Sequence, residues 1–153
     1  IKFRRCIYIK PFILFNNKIF RNIQSYLDKV LKKYNLTSGT YPYIFTLEKN
    51  EGISQIKISN EIGNDKAMST RTINKLIKND FIYRQQDEQD SRAYKLYLTK
   101  KAKKIIPELH REIDSIIGLI TEDLSEKELD ITMASLEKIF EKTQVLRKME
   151  GVK

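Results

Sequence analysis

One segment, residues 64–99, most constrains what this chain can fold into, because a helical pattern runs directly into two strand-like runs. On a helical wheel of residues 66–79, one narrow stripe that can face a core collects Ser69, Ile73, Leu76 and Ile77. The opposite side has no carboxylate and carries Ala67, Met68, Arg71, Lys75 and Lys78. This face suits an approach to a polyanion. An ordinary solvated helix face is the alternative interpretation.

The two runs that follow this helix predict a β-hairpin. Residues 81–84 and 93–98 are rich in β-branched and aromatic side chains with partial alternation, whereas residues 85–91 are polar throughout. We therefore expect two strands joined by a projecting loop, with Asp90 and Arg92 where the loop returns. A helix followed by such a hairpin is the arrangement of a winged helix-turn-helix, in which the helix enters the major groove of DNA and the wing can place an arginine in the minor groove.

Four fragments in order resemble the DNA-binding region of the MarR (multiple antibiotic resistance regulator) family. They are LTSGTYPYIFTL, GISQIKISNEIG, DKAMSTRTINKLI and FIYRQQDEQDSRAYKLYLT, starting at Leu36, Gly52, Asp65 and Phe81. The threonine–arginine pair of the recognition helix corresponds to Thr70 and Arg71, and the Asp-x-Arg motif of the wing to Asp90 and Arg92. The resemblance covers residues 36–99. The flanking helices resemble that family only in length and periodicity.

This resemblance, together with the helical wheel, predicts which side chains contact DNA. The predicted set is Ser54, Gln55, Lys66, Met68, Thr70, Arg71, Asn74, Lys75, Arg84, Asp90 and Arg92. We expect Arg71 to bind guanine or clamp a phosphate, and Thr70, Asn74 and Lys75 to bond base edges or phosphates. Ala67 and Met68 stand where the family usually has hydroxyl residues, which favours contact with thymine methyl groups and an unusual target sequence.

The remaining members of this set are assigned to the backbone of the DNA or to the wing. The amides of Ser54 and Gln55, at the start of a short positioning helix, can meet a phosphate. Arg92 is expected in a narrow, A·T-rich minor groove. As the resemblance also implies, Asp90 pairs with Arg84 to hold the wing in shape. An ordinary surface ion pair, worth less than about 1 kcal/mol, is the alternative for that pair.

The chain as a whole is predicted to be mainly α-helical with a small β wing, as one compact unit. Residues 1–35 contribute a dimerisation helix, residues 36–99 form the winged helix-turn-helix, and residues 100–153 form further dimerisation helices. The first helix is expected over residues 11–34, with Pro11 in its first turn. The other caps are assigned, in chain order, to Thr37 or Ser38, Ser54, Asp65, Thr99 and the Ser125–Glu128 capping box. Pro107 is expected to bend the helix that contains it.

The terminal helices are too amphipathic to close a core alone, which predicts a symmetric homodimer. The regulator is then expected to act, as a repressor, on a pseudo-palindromic operator. The net charge of +9 is unevenly spread, because residues 66–104 hold eleven Lys and Arg against four Asp and Glu, whereas residues 105–153 are acidic. Such asymmetry is typical of nucleic-acid binders. The alternative is a winged helix that binds a protein or an anionic membrane surface instead of DNA.

The composition also predicts the cellular compartment of the protein and whether it could catalyse a reaction or bind a metal or cofactor. No apolar run reaches the length of a membrane span, and residues 1–10 do not resemble a secretory signal. A single cysteine fits a reducing environment, and we expect a cytoplasmic protein. With one histidine, five glycines and no catalytic motif, we predict neither an enzyme nor a metal or cofactor site.

Regulation is expected to follow the family that the chain resembles. A pocket for a small aromatic acid between the first helix, the second helix and the wing would be lined by Phe15, Tyr41 and Tyr43, although plain core is the alternative for these rings. Redox sensing through Cys6 is the other option, because Arg4 and Arg5 favour the thiolate. Cys6 lies upstream of the sensor position of peroxide-sensing relatives, which counts against it.

Overall fold

The computed structural model describes residues 2–87 and 93–149, with side chains from residue 11 to 87 and from 93 to 146. In this part of the chain the elements are α1 (Lys2–Leu31) with a 3-10 turn (Lys32–Tyr34), α2 (Tyr41–Lys49), β1 (Ile53–Ser54), α3 (Gln55–Ile62), α4 (Lys66–Lys78), β2 (Ile82–Gln86), β3 (Tyr94–Leu98), α5 (Lys100–Thr121) and α6 (Glu126–Met149). The predicted fold class, mainly helical with a small β wing, is confirmed.

Helix α1 begins earlier than predicted. Pro11 lies inside the helix rather than in its first turn. A proline there removes one backbone hydrogen bond and crowds the preceding turn. The remaining residues of the helix each add a backbone hydrogen bond. The single bond missing at Pro11 therefore does not end a helix of 30 residues. The predicted end is confirmed, since Asn35 closes the 3-10 turn in the left-handed conformation, at φ 58°.

The start of α2 also differs from the prediction, because the cap is Thr40 and neither Thr37 nor Ser38. The Thr40 hydroxyl accepts a hydrogen bond from the Thr37 amide at 2.7 Å and donates to the Thr37 carbonyl at 3.0 Å. The Ser38 amide donates to Asp28 Oδ1 of α1 at 2.7 Å. These bonds fold residues 37–40 into a turn, and Pro42 in the first turn of α2 then favours a helix start at Tyr41.

The caps of the helix-turn-helix lie where the sequence predicted them. Ser54 Oγ accepts from the Lys57 amide at 3.3 Å, and Gly63 ends α3 with φ 81°, a left-handed conformation that favours glycine. Asp65 Oδ1 accepts from the Met68 amide at 2.7 Å and so opens α4. Ile56, the second residue of α3, is 66% exposed.

The wing contains the predicted antiparallel hairpin, and a third strand that was not expected pairs with it. In the described residues the sheet order is β1-β3-β2, and β1 pairs Ile53 with Leu96. A strand of two residues is too short to show any alternation, which is why the sequence did not reveal it. Gln85 and Gln86, predicted as loop, belong to β2, because backbone pairing with Lys95 and Tyr94 extends the ladder through polar side chains.

The chain divides into two compact units, Ile1–His110 and Arg111–Lys153, with the division inside α5. In the first unit, side chains from the helices and the sheet form the buried core, including Leu31, Leu36, Tyr43, Ile44, Leu47, Ile58, Ile73, Leu76, Phe81, Ile82, Leu96 and Leu109. In the second unit, α6 opens with the predicted capping box, in which Glu128 Oε2 accepts from the Ser125 amide at 3.0 Å. Among the described residues, no helix is both long and apolar enough to cross a membrane.

Candidate nucleic-acid interface

Helix α4 separates its side chains sharply into a buried and an exposed face. Ser69, Ile73 and Leu76 are fully buried. The other face presents Lys66, Ala67, Met68, Arg71, Asn74, Lys75 and Lys78 to solvent, and the helix contains no acidic side chain. The outward face is therefore a ridge of cations, one amide and one thioether, which matches the helical wheel.

A buried hydrogen-bond network holds α4 against the rest of the helix-turn-helix. The Tyr43 hydroxyl donates to Ser69 Oγ at 2.9 Å and accepts from Asn64 Nδ2 at 3.0 Å. Tyr43 is completely buried, so a lost partner would leave a polar group without compensation. Because Asn64 lies in the turn between α3 and α4, the network fixes the turn and the recognition helix together. Tyr43 is thus a core residue whose hydroxyl is already occupied, in contrast to the predicted ligand contact.

A second network, which we call the Arg84 network, joins Gln55, Thr70, Asn74 and Arg84. Arg84 Nη2 donates to Asn74 Oδ1 at 2.8 Å and to Gln55 Oε1 at 3.4 Å. Gln55 Nε2 donates to Thr70 Oγ1 at 2.6 Å, and that hydroxyl in turn donates to the Lys66 carbonyl at 2.7 Å. The network therefore connects the start of α3, one edge of α4 and strand β2.

These bonds change the roles of several predicted DNA contacts. Thr70 and Gln55 are half-buried and bonded to each other, so much of their hydrogen-bonding capacity is used inside the protein. Arg84, which the sequence paired with Asp90, bonds side chains of α3 and α4. Asp90 and Arg92 lie outside the described residues, so the predicted wing contacts stay predictions.

The described part of the wing is held by ring and charge contacts. The rings of Tyr83 and Tyr97 stack with centroids 5.5 Å apart on one face of the hairpin. Lys95 Nζ lies 3.2 Å from Oδ2 of Asp87, the residue that follows β2. The first contact joins β2 to β3 and the second joins the residue after β2 to β3, so both stabilise the described part of the hairpin.

The end of α4 is joined to the start of α5 by contacts that the sequence did not reveal. Lys101 Nζ donates to the Asn79 carbonyl at 2.7 Å and lies 4.6 Å from the centroid of the Phe81 ring. Thr99 caps α5 as predicted, since its Oγ1 accepts from the Ala102 amide at 3.1 Å, and it also donates to the Asp80 carbonyl at 2.7 Å. A cation at a helix C-terminus is favourable, because the last carbonyls carry partial negative charge.

The residues predicted to line a ligand pocket have three different environments. Phe15 on α1 is 60% exposed, Tyr41 is half-buried with its ring edge-on to Phe45, and Tyr43 is in the core. Burial raises the pKa of Tyr41. On the other side of Phe45, the ring of His110 stacks at 4.3 Å between centroids, and His110 Nε2 lies 2.8 Å from Glu48 Oε2. His110 thus lies on the helix surface, with partners on α2.

The remaining sensor predictions concern cysteine and metals. The side chain of Cys6 lies outside those that the structure describes. Among the described residues, no group of three or more His, Cys, Asp or Glu side chains could hold a metal ion.

The fold and the two networks define a winged helix-turn-helix protein. The family model that matches the chain is that of the MarR family, over residues 36–94. The transcriptional regulator BilQ of Clostridioides difficile (strain CD3) is 33% identical over 108 residues, covering 71% of this chain and 73% of that protein. The crystal structure of the transcriptional regulator SlyA has 30% identity and a TM-score of 0.84, covering 93% of this chain and 99% of that one.

A DNA complex is also among the similar structures. Staphylococcus aureus MepR bound to DNA superimposes with a TM-score of 0.79, covering 84% of this chain and 96% of that one. At 21% identity, this likeness shows the fold alone. The relatives at 30% identity or more establish the family: the chain belongs to the MarR family of transcriptional regulators. BilQ and SlyA are both named as transcriptional regulators.

Proposed function

We propose that this chain binds double-stranded DNA in a sequence-specific manner. The observation that supports this most strongly is the exposed face of α4, which offers Arg71, Asn74 and Lys75 and lacks any carboxylate. Cations on such a face displace the counterions of the phosphate backbone, and arginine can read guanine by two parallel bonds. Helix α4 lies in the major groove, with Arg71 as the main base contact and Lys66 and Lys75 on phosphates or base edges.

The neighbouring elements complete this proposed contact. The N-terminus of α3, at Ser54 and Gln55, faces a phosphate, because helix N-termini favour anions. Arg92, in the predicted loop of the wing, enters the minor groove. Met68, which is 44% exposed on α4, packs against a thymine methyl group.

We further propose that the DNA-binding form is a homodimer that represses transcription from a pseudo-palindromic operator. Large apolar side chains are exposed on several helices: Phe12, Ile13, Leu14, Phe15, Ile19 and Phe20 on α1, Ile117, Leu119 and Ile120 on α5, and Ile131, Met133, Leu136, Phe140, Val145 and Leu146 on α6. Exposed apolar side chains in such number, on each of the two units, support a protein interface. A two-fold dimer presents two copies of α4, which accounts for a two-fold operator.

Release by a small aromatic acid is the regulatory part of the proposal. Tyr41 and Phe45 place an edge-to-face aromatic pair at the surface of α2, and Phe15 offers an exposed ring on α1. A planar aromatic ligand can pack against such rings. Loss of operator binding on addition of a series of small aromatic acids, with an aliphatic acid of similar size as control, tests this part.

The central experiment measures binding to mixed-sequence duplex DNA against salt concentration by fluorescence anisotropy. We expect log K to fall steeply with log salt, since each neutralised phosphate contributes a slope of about −0.9. Arg71→Ala should lose about 1–3 kcal/mol of discrimination between sequences. Lys138→Ala, which removes an exposed cation from α6, is the matched control and should keep that discrimination.

Three outcomes would contradict this proposal. Binding that does not depend on salt would favour a protein partner. Binding to anionic lipid vesicles without binding to duplex DNA would favour the membrane surface. A stable monomer in sedimentation experiments at micromolar concentration would refute the homodimer.

A further inference from the structure

The Arg84 network follows from how β2 meets α4. Side chains alternate across a strand, so Arg84 shares the face of Ile82, which is fully buried. Two residues further along this face the core ends, and the guanidinium reaches the edge of α4 at Asn74. Thr70 lies one turn before Asn74 on the same edge, and Gln55 bridges from Thr70 back to Arg84. The network thus joins four side chains from three elements, and Arg84 is the member that bonds the amide of Asn74.

The chemistry of arginine determines which way that amide points. A guanidinium has donors and no acceptor, so the Asn74 atom that faces Arg84 must be the oxygen, at 2.8 Å. The same argument assigns Gln55 Oε1 to Arg84, and Gln55 Nε2 is already bonded to Thr70. The amide nitrogen of Asn74, with its two N–H groups, is therefore directed away from Arg84. The exposed side of this edge offers hydrogen-bond donors.

We propose that Arg84 is a positioning residue that makes Asn74 a donor toward DNA, so that this chain prefers guanine to adenine at the base pair facing Asn74. The inference rests on the proposed DNA-binding function. An asparagine reads adenine by accepting from N6 and donating to N7, which requires its oxygen and its nitrogen to face the base together. Arg84 holds the oxygen to one side. Guanine presents two acceptors, N7 and O6, which suit the two N–H groups of Asn74.

The experiment selects duplexes from a randomised pool with the wild-type protein and then measures the affinity of each single-base variant of the selected site. Asn74→Ala identifies the base pair that Asn74 faces, as the position where base preference disappears. At that position we expect the wild type to prefer guanine to adenine by about tenfold, because one good pair of bonds contributes a discrimination of this order.

Variants at Arg84 then separate positioning from simple attraction to phosphate. Arg84→Met replaces the guanidinium by a side chain of similar length without hydrogen-bond donors, so the Asn74 amide can turn. The preference for guanine should then fall about tenfold or change to a preference for adenine. Arg84→Lys retains a cation with a donor and should keep part of the preference. In the double variant Arg84→Met/Asn74→Ala, the change at Arg84 should have no further effect on preference, because Arg84 acts through Asn74.

The control removes a cation from α4 without touching the network. Lys78→Ala should weaken binding to all sequences alike and leave the base preference unchanged. The inference is overturned if Arg84→Met does the same, if Asn74→Ala alters no base preference, or if the wild type prefers adenine at that position. Circular dichroism melting curves establish whether each variant is folded. If Arg84→Met does not fold, the partial loss of guanine preference expected for Arg84→Lys tests the inference instead. If the wild type binds no duplex in a salt-dependent way, the proposed function itself fails.

Discussion

Helices α4 and α6 are both amphipathic, but only α4 has its apolar stripe buried within this chain. In α4, Ile73 and Leu76 are fully buried and the outward side chains are polar, small or flexible. In α6, Leu136 and Phe140 are 43% and 56% exposed. Exposure therefore has opposite meanings in the two helices. An exposed polar face on a well-packed helix is available for a ligand, whereas an exposed apolar face on a long helix lacks a covering partner.

The largest effect is expected where the apolar face is altered. Leu136→Glu/Phe140→Glu places two charges one turn apart on α6. If the homodimer covers this face, the double variant should lose about 3–6 kcal/mol of association free energy per protomer, since two large apolar side chains of each chain no longer leave water. Sedimentation at several concentrations measures it. Lys138→Glu is the matched control, and a double variant that dimerises like the wild type would show that this face is not the interface.

A smaller effect is expected from the buried stripe of α4. Ile73→Ala removes most of a side chain that is fully buried, and the free energy of unfolding should fall by about 2–5 kcal/mol. Ile56→Ala, at a position that is 66% exposed on α3, should change it by less than about 0.5 kcal/mol. Urea denaturation measures both variants. Equal effects would show that the difference in burial does not govern stability here.

The sequence predicted those features that depend on residues close together in the chain. The caps at Ser54, Asp65, Thr99 and Ser125 use a side chain and an amide about one turn further on, so the order of residues is enough to find them. The buried and exposed faces of α4 follow from the spacing of its residues around the helix alone. The same local logic failed at Thr40, where the Asp28 side chain fixes the preceding turn from a distance.

Features that join distant segments could not be predicted from local pattern. The Arg84 network connects residues 10 and 29 positions apart, and the bond from Tyr43 to Ser69 spans 26. Sequence showed only that Arg84, Gln55, Thr70 and Asn74 were polar, and each was assigned to DNA or to the wing. Which polar groups remain free for a ligand becomes clear only when the fold shows which of them bond to each other.

The N-terminal cap of α4 provides the next test. Asp65→Ala removes the acceptor for the Met68 amide and should lower the free energy of unfolding by about 1 kcal/mol, as is typical for a lost cap. Glu61→Ala, at an exposed carboxylate on α3, controls for the loss of negative charge alone. Urea denaturation at neutral pH compares the two. An effect of Asp65→Ala no greater than that of Glu61→Ala would show that the cap does not stabilise the recognition helix.

The smallest effect concerns the corresponding cap of α6. Hydrogen bonds from the Ser125 hydroxyl and amide lower the pKa of Glu128, because they favour its ionised form. With a folded pKa below the unfolded one, this cap stabilises α6 above the unfolded pKa and loses that contribution as the pH falls through the folded pKa. Ser125→Ala should raise the Glu128 pKa toward its ordinary value in a carboxyl NMR titration, with Glu126 as internal reference. If the Glu128 pKa does not change, the hydroxyl is not its cause, and the caps of α4 and α6 differ in kind.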